Sequence, residues 1–296
     1  MDGGLSITMI SVVMFVGCFL LGFIPLLFRL SQRSLHFVSI LGAGFLCGTA
    51  LAITIPEGVG LLQEAWTHEQ ASSSAANTTS TGRAPSPQLY MGVALTFGFT
   101  FMFMVDQLGS YFSMCGQTSP NSNAITATLG LVIHAAADGF ALGAVVATGQ
   151  VTVQIIVFFA VILHKAPAAF GLVAFLMHAG LEKKSIQGHL LAFSAAAPVT
   201  AIATYFTLHA SCTSSENQLT ATGVGMLFSA GTFLFVATVH VLPEIISSSS
   251  SHSLAGQHSS HLQQQQQQSH LGLQESFTLV LGVGLPVLLA LGLHDD

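Results

Sequence analysis

Eight stretches of this 296-residue chain run for about twenty residues or more with almost no charge: 5–28, 36–60, 88–112, 125–147, 151–180, 189–210, 219–245 and 275–293. About twenty apolar residues in a helix cross the hydrocarbon core of a bilayer. The pattern therefore predicts an all-α membrane protein, an eight-transmembrane-helix bundle forming one domain over 1–296. The charge supply agrees: 6 basic and 12 acidic residues make up 6 % of the chain, against roughly a quarter in soluble domains. Mean hydropathy is +0.71. A soluble enzyme is excluded, and a net charge of −6 leaves no basic footprint for nucleic acid. The ten-residue alternation of transmembrane β-strands is not visible. Gly and Ala recur through the apolar runs, and small residues let helices approach closely in lipid.

The N-terminus lacks a basic stretch before its apolar run, and that run is too long for a cleavable signal, so it reads as the first span. Of the four cysteines, Cys18 and Cys47 sit in apolar runs, and Cys115 and Cys212 fall on opposite sides of the predicted topology; there is no Cys-x-x-Cys pair. Two segments, 63–87 and 247–274, are too polar and repetitive to build a core and read as disordered loops. The second carries His252, His258, His261 and His270 around a run of six Gln. Arg29, Arg33, Lys183 and Lys184 fall on one side of the predicted topology and only Arg83 on the other. The positive-inside tendency puts the first group in the cytosol and both termini outside or in a lumen. The sequon Asn77-Thr78-Thr79 falls on that outer side and makes Asn77 a glycosylation candidate.

Ionisable side chains within a span cost several kcal/mol and mark function by default. They are Asp106, His134, Asp138, His164, Lys165, His240 and Glu244, with Glu57 and His178 nearer span ends. His134 and Asp138 are four apart and project from one face of span four. His164 lies near the middle of span five, at a depth matching His134. Imidazole nitrogens and a carboxylate suit Zn²⁺ or a similar first-row ion. Pro167 removes a backbone donor one turn beyond His164 and is expected to kink the helix there. The stretch around His134 also overlays that around His164 at the His, Phe and Leu positions. The two spans run in opposite directions, which hints at an inverted repeat. Glu57, Asp106, Lys165, His240 and Glu244 are candidates for a stepwise path to and from the centre.

The motifs His134-Ala135-x-x-Asp138-Gly139, His164-Lys165-Ala166-Pro167-Ala168 and Ser229-Ala230-Gly231-Thr232…Leu242-Pro243-Glu244 resemble those of the ZIP (Zrt/Irt-like) metal transporters, solute carrier family 39, and look like its divergent ninth-member subfamily. The resemblance implies an eight-span, outward-termini carrier moving Zn²⁺ from outside or a lumen into the cytosol, contributing to zinc homeostasis. It also implies residence in the Golgi (trans-Golgi network) and plasma membrane. The resemblance implies that family members holding two metals use an Asn, an acid after the second His and a further acid; here Ala135, Lys165 and Ala168 stand in those places. Only His134, Asp138 and His164 are carried over as ligands, which implies a single-metal site with the Lys165 ammonium near where a second cation would sit. No organic cofactor is expected, the lipid bilayer is the other partner, Fe²⁺ and Mn²⁺ stay open as cargo, and so does a homodimer. The alternative reading is a membrane receptor for an apolar ligand such as a steroid, signalling through cytosolic loops. An intramembrane metallohydrolase ranks last, because there is no His-Glu-x-x-His and no spare central carboxylate beyond Asp138.

Overall fold

The computed structural model describes residues 3–27, 32–75, 87–115, 122–178, 180–211, 215–243 and 272–294. Asn77, Cys212, Glu244 and the loop histidines His252, His258, His261 and His270 lie outside them, as do the side chains of Cys115, Pro167, His178 and His240. Every regular element among the described residues is helical: α1 (Gly3–Leu27), α2 (Gln32–Thr49), α3 (Ile55–Ala75), α4 (Pro87–Cys115), α5 (Ser122–Thr148), α6 (Val151–His178), α7 (Lys183–Ala210), α8 (Ser215–Phe235) and α9 (Leu273–His294). Seven helical stretches are long and apolar enough to cross a membrane, and α9 contains a shorter apolar stretch, Leu273–Leu288.

Two π-helical turns interrupt this pattern. Ala50–Thr54 joins α2 to α3 into one continuous helix, and Val236–Val241 extends α8. Each ends just before a proline, Pro56 and Pro243. A proline cannot donate to the carbonyl four residues back and its ring collides with it; a widened turn absorbs the mismatch. The residue before each proline bonds five residues back, Ile55 N–H to Ala50 O and Leu242 N–H to Ala237 O. The pair Ile55-Pro56-Glu57 and Leu242-Pro243-Glu244 thus gives two helices the same local distortion.

The continuous helix also runs to Ala75, well into the segment that composition reads as a disordered loop from residue 63. The reason lies in its packing. Leu61, Leu62 and Ala65 are buried, and Gly58 and Gly223 bring α3 close to α8, so tertiary burial supports the helix through Ala65, past the Gln63 at which the sequence turns polar.

The helices sort by contact into two neighbourhoods. α1, α6 and α7 pack on one another, with α5 laid closely along α7; α4 and α3 pack on α8, and α9 packs on α2. α5 lies against α8, and α2 against α6, which join the two groups. Close approach depends on missing side chains. A Cβ at Gly139 would collide with Thr200 and Ala197, and one at Gly143 with Ala201 and Thr204. Gly98 and Gly231 do the same for α4 and α8 against the carbonyls of Phe228 and Leu95. Buried Phe193, Phe233, Phe235, Met14 and Leu142 fill the main core.

Two tight connections set the line of α5, α6 and α7. Gly149 between α5 and α6 and Gly180 between α6 and α7 have φ of 74° and 76°, a region open to Gly at little cost. At the second, Leu181 N–H bonds Leu176 O and Gly180 N–H bonds Met177 O, a Schellman ending of α6. The first connection is so short that α5 and α6 run antiparallel, with His134 and His164 each near the midpoint of its helix.

Candidate metal centre

His134, Asp138 and His164 are 1 %, 2 % and 1 % exposed, and one donor atom from each lies within 4.8 Å of the other two. This is a single cluster made by three side chains from α5 and α6. The Oδ2 atom of Asp138 is its hub. His164 Nε2 lies 2.9 Å from Oδ2, His134 Nε2 lies 3.3 Å from it, and Lys165 Nζ lies 3.7 Å from it.

The outer nitrogens of both rings face hydrogen-bond acceptors. His164 Nδ1 is 2.8 Å from the Ala160 carbonyl. His134 Nδ1 is 3.2 Å from the Ser229 carbonyl and 2.9 Å from Ser229 Oγ. A carbonyl only accepts, so each Nδ1 carries the proton and donates. The Ser229 hydroxyl donates to Asp138 Oδ1 and so accepts from His134. Neutral rings with Nδ1–H have their remaining lone pair on Nε2. Two imidazole lone pairs and a carboxylate oxygen therefore converge on one small volume. They repel one another unless a cation or an added proton sits among them; His164 Nε2 and Asp138 Oδ2 lie at hydrogen-bond distance, so without a metal a proton bridges them, the carboxylate accepting. Two ligands about 2.0–2.1 Å from a tetrahedral zinc ion lie about 3.3 Å from each other, and the His134–Asp138 separation of 3.3 Å matches that spacing.

Other side chains brace this set. Thr232 donates to the Ser229 carbonyl at 2.7 Å, holding the backbone that His134 uses. Phe233 stacks on the His134 ring with centroids 4.2 Å apart and planes 20° apart. Ser229, Thr232 and Phe233 all come from α8, while the ligand candidates come from α5 and α6. Such outer partners fix ring orientation and raise ligand basicity. The sequence reading missed Ser229 and Thr232 as parts of the site. Their signal was present as two hydroxyl residues three apart in the apolar second half of α8.

The remaining candidates fall elsewhere. Glu57 is half-buried and lines a cavity of about 190 Å³ with Ile53, Pro56, Ala160 and Leu163, so that cavity reaches the α6 turn that carries His164. Asp106 is half-buried on α4 and belongs to no cluster with the triad. Lys165 is fully buried and pairs with Asp138; the alternative of a Lys165–Asp106 pair is not what the geometry gives. Ala135 and Ala168 are buried and have no polar side-chain atoms, so neither side chain adds a ligand. Residue 167 lies inside α6, which is helical throughout Val151–His178.

A family profile described as ZIP Zinc transporter matches residues 4–124 and 115–290. The chain is 47 % identical over 310 residues to Zinc transporter ZIP9-B of Xenopus laevis, covering 99 % of each chain. It is 46 % identical over 317 residues to Zinc transporter ZIP9 of Micropogonias undulatus, covering 99 % of this chain and 100 % of that one. Over 164 residues it is 54 % identical to Zinc transporter ZIP9 of Macaca fascicularis, 55 % of this chain and 66 % of that one.

Proposed function

This chain belongs to the ZIP zinc transporter family, and from that premise we propose that it moves Zn²⁺ from outside or a lumen into the cytosol through a mid-membrane site made by His134, Asp138 and His164. The observation that carries the site is the convergence of three electron-pair donors on one buried point, with outer hydrogen bonds that leave both Nε2 lone pairs facing it. These residues replace the hydration shell of a soft-leaning divalent ion at mid-depth. The relatives are zinc transporters by name, a class without enzymatic chemistry, and they favour carriage over the receptor reading.

In the full proposal the chain crosses the membrane eight times, with α9 as the last span and both termini outward. Glu57 feeds the centre from the outer cavity, and Asp106, His240 and Glu244 grade the path toward the cytosol. Pro167 loosens α6 beside His164. The site holds one metal, because Ala135 and Ala168 offer no ligand atom and Lys165 brings a positive charge. Contribution to zinc homeostasis, Golgi and plasma-membrane residence, glycosylation at Asn77, homodimer formation and carriage of Fe²⁺ or Mn²⁺ complete the reading.

The test is cytosolic zinc, followed by a fluorescent reporter in cells expressing wild type, His134→Ala or His164→Ala. Influx above empty vector in wild type, lost in both variants, is the expected result. A wild type that adds no influx overturns the transport reading. Ligand-dependent signalling that both substitutions leave intact would establish the receptor reading instead.

A further inference from the structure

Lys165 is among the largest fully buried side chains of the described residues, and its position is unusual in three respects. Its ammonium lies 3.7 Å from the same Asp138 oxygen that the two imidazoles approach. That is an ionic separation, longer than a hydrogen bond. The nitrogen has no hydrogen-bond partner among the described residues. On another side it faces the ring of buried Phe193, 4.9 Å from the centroid, a distance at which an aromatic face attracts a cation.

A cation with two weak partners is held without being locked. Its stem has four rotatable carbons, so the head can shift between a carboxylate and an aromatic face without moving the backbone. The charge arithmetic gives that freedom a use. Asp138 and Lys165 carry opposite charges, so this pair cancels within the unloaded site. Without the lysine, the empty site would bury the carboxylate without its fixed counter-charge, which apolar surroundings disfavour. Zn²⁺ competes for the same Oδ2 and must draw it away from the ammonium.

We propose that Lys165 is a tethered stand-in for the metal: it pairs with Asp138 when the site is empty, yields that oxygen to Zn²⁺ on loading, and takes it back on release. This rests on the zinc-carrier reading above. It assigns the lysine two effects of opposite sense. It weakens zinc binding, because the ion must displace one cation and bind beside it. It also permits the unloaded carrier to turn back across the membrane with its carboxylate charge balanced by the lysine. Lys165 is therefore a positioning residue acting through Asp138, not a ligand.

Purified full chain in liposomes, with zinc alone as the probe, separates these effects. Net uptake needs the unloaded return, whereas zinc-for-zinc exchange uses only loaded steps. Lys165→Met keeps the stem and removes the charge. It is expected to lower the half-saturating zinc concentration about tenfold, within the usual range of coupling between two sites, and to slow net uptake about tenfold more than exchange. Net uptake and exchange falling together, or neither changing, overturns the proposal. Should Lys165→Met not reach a folded state, Lys165→Arg, which keeps the charge, decides the matter. Retained net uptake there supports the charge role, and loss of net uptake and exchange alike overturns it. A wild type with no zinc uptake or exchange in liposomes would instead refute the carrier reading itself.

Discussion

The Ser229 hydroxyl donates to Asp138 Oδ1 across 91 residues of chain and tethers the one carboxylate of the centre from a different helix. The other carboxylate oxygen, Oδ2, is thereby left for the imidazoles and for Lys165. Ser229 also meets His134 Nδ1 through both its hydroxyl and its carbonyl, so one residue orients two of the three ligand candidates.

Replacing Ser229 by Ala removes one charge-assisted hydrogen bond to Asp138 and leaves His134 only the backbone carbonyl. Outer-partner losses of this type cost about 10–100-fold in metal affinity. The half-saturating zinc concentration for uptake should rise by that order, with maximal uptake much less changed. Ser229→Thr, which restores the hydroxyl, should recover part of the loss. Equal half-saturation in wild type and Ser229→Ala would show that the carboxylate is oriented without it.

Loss of a ligand is a larger perturbation than loss of its support. His134→Ala and His164→Ala should each weaken zinc binding by more than about 100-fold, the upper end of the outer-partner range. Isothermal titration of the purified protein in detergent measures this directly. Asp106→Asn should leave the affinity close to wild type, because Asp106 lies on α4 outside the triad. A centre that keeps its affinity after His164→Ala would be built from other atoms.

The triad was legible in the sequence because its signals are local: His134 and Asp138 share a face by their spacing, and His164 sits at matching depth. The helical class was legible because apolar runs of that length have few alternatives. Ser229 and Thr232 were read only as part of a motif and Phe233 not at all, since contact between α8 and α5 depends on the close packing that Gly225 allows against Phe140 and Ala141, which no local pattern encodes. The π-turns had a signal that went unread, the twice-repeated Pro-Glu pair at Pro56-Glu57 and Pro243-Glu244. The continuation of α3 past residue 63 was hidden because composition speaks for solvent and not for the packing that buries Ala65.

Substituting Lys165 by Glu reverses the charge beside Asp138 and supplies a carboxylate where Ala135 and Ala168 supply none. Two carboxylates within reach of one another repel, and a second divalent cation relieves that repulsion. Bound zinc per chain, counted by elemental analysis after gel filtration, should therefore rise above the wild-type value. An unchanged count would mean that the lysine does not set how many metals the site binds.

The seam between α5 and α7 should be the least tolerant of added volume. At Gly139 a new Cβ would lie 2.8 Å from Ala197 Cα and closer still to Thr200 Oγ1 and the Ala197 carbonyl. Two of these three atoms are backbone and cannot rotate away, so the helices must separate. Overpacking of this kind costs about 1–3 kcal/mol, and it would displace Asp138, the adjacent residue, relative to Ser229. Gly139→Ala should lower the thermal midpoint in detergent and weaken zinc binding together. Gly42, which has open space where its Cβ would be, is the matched comparison. There Ala should be neutral or stabilising by up to about 1 kcal/mol, the helix-propensity difference between the two residues. Equal midpoints for Gly139→Ala and Gly42→Ala would mean that α5 and α7 are not held at the separation the glycines permit.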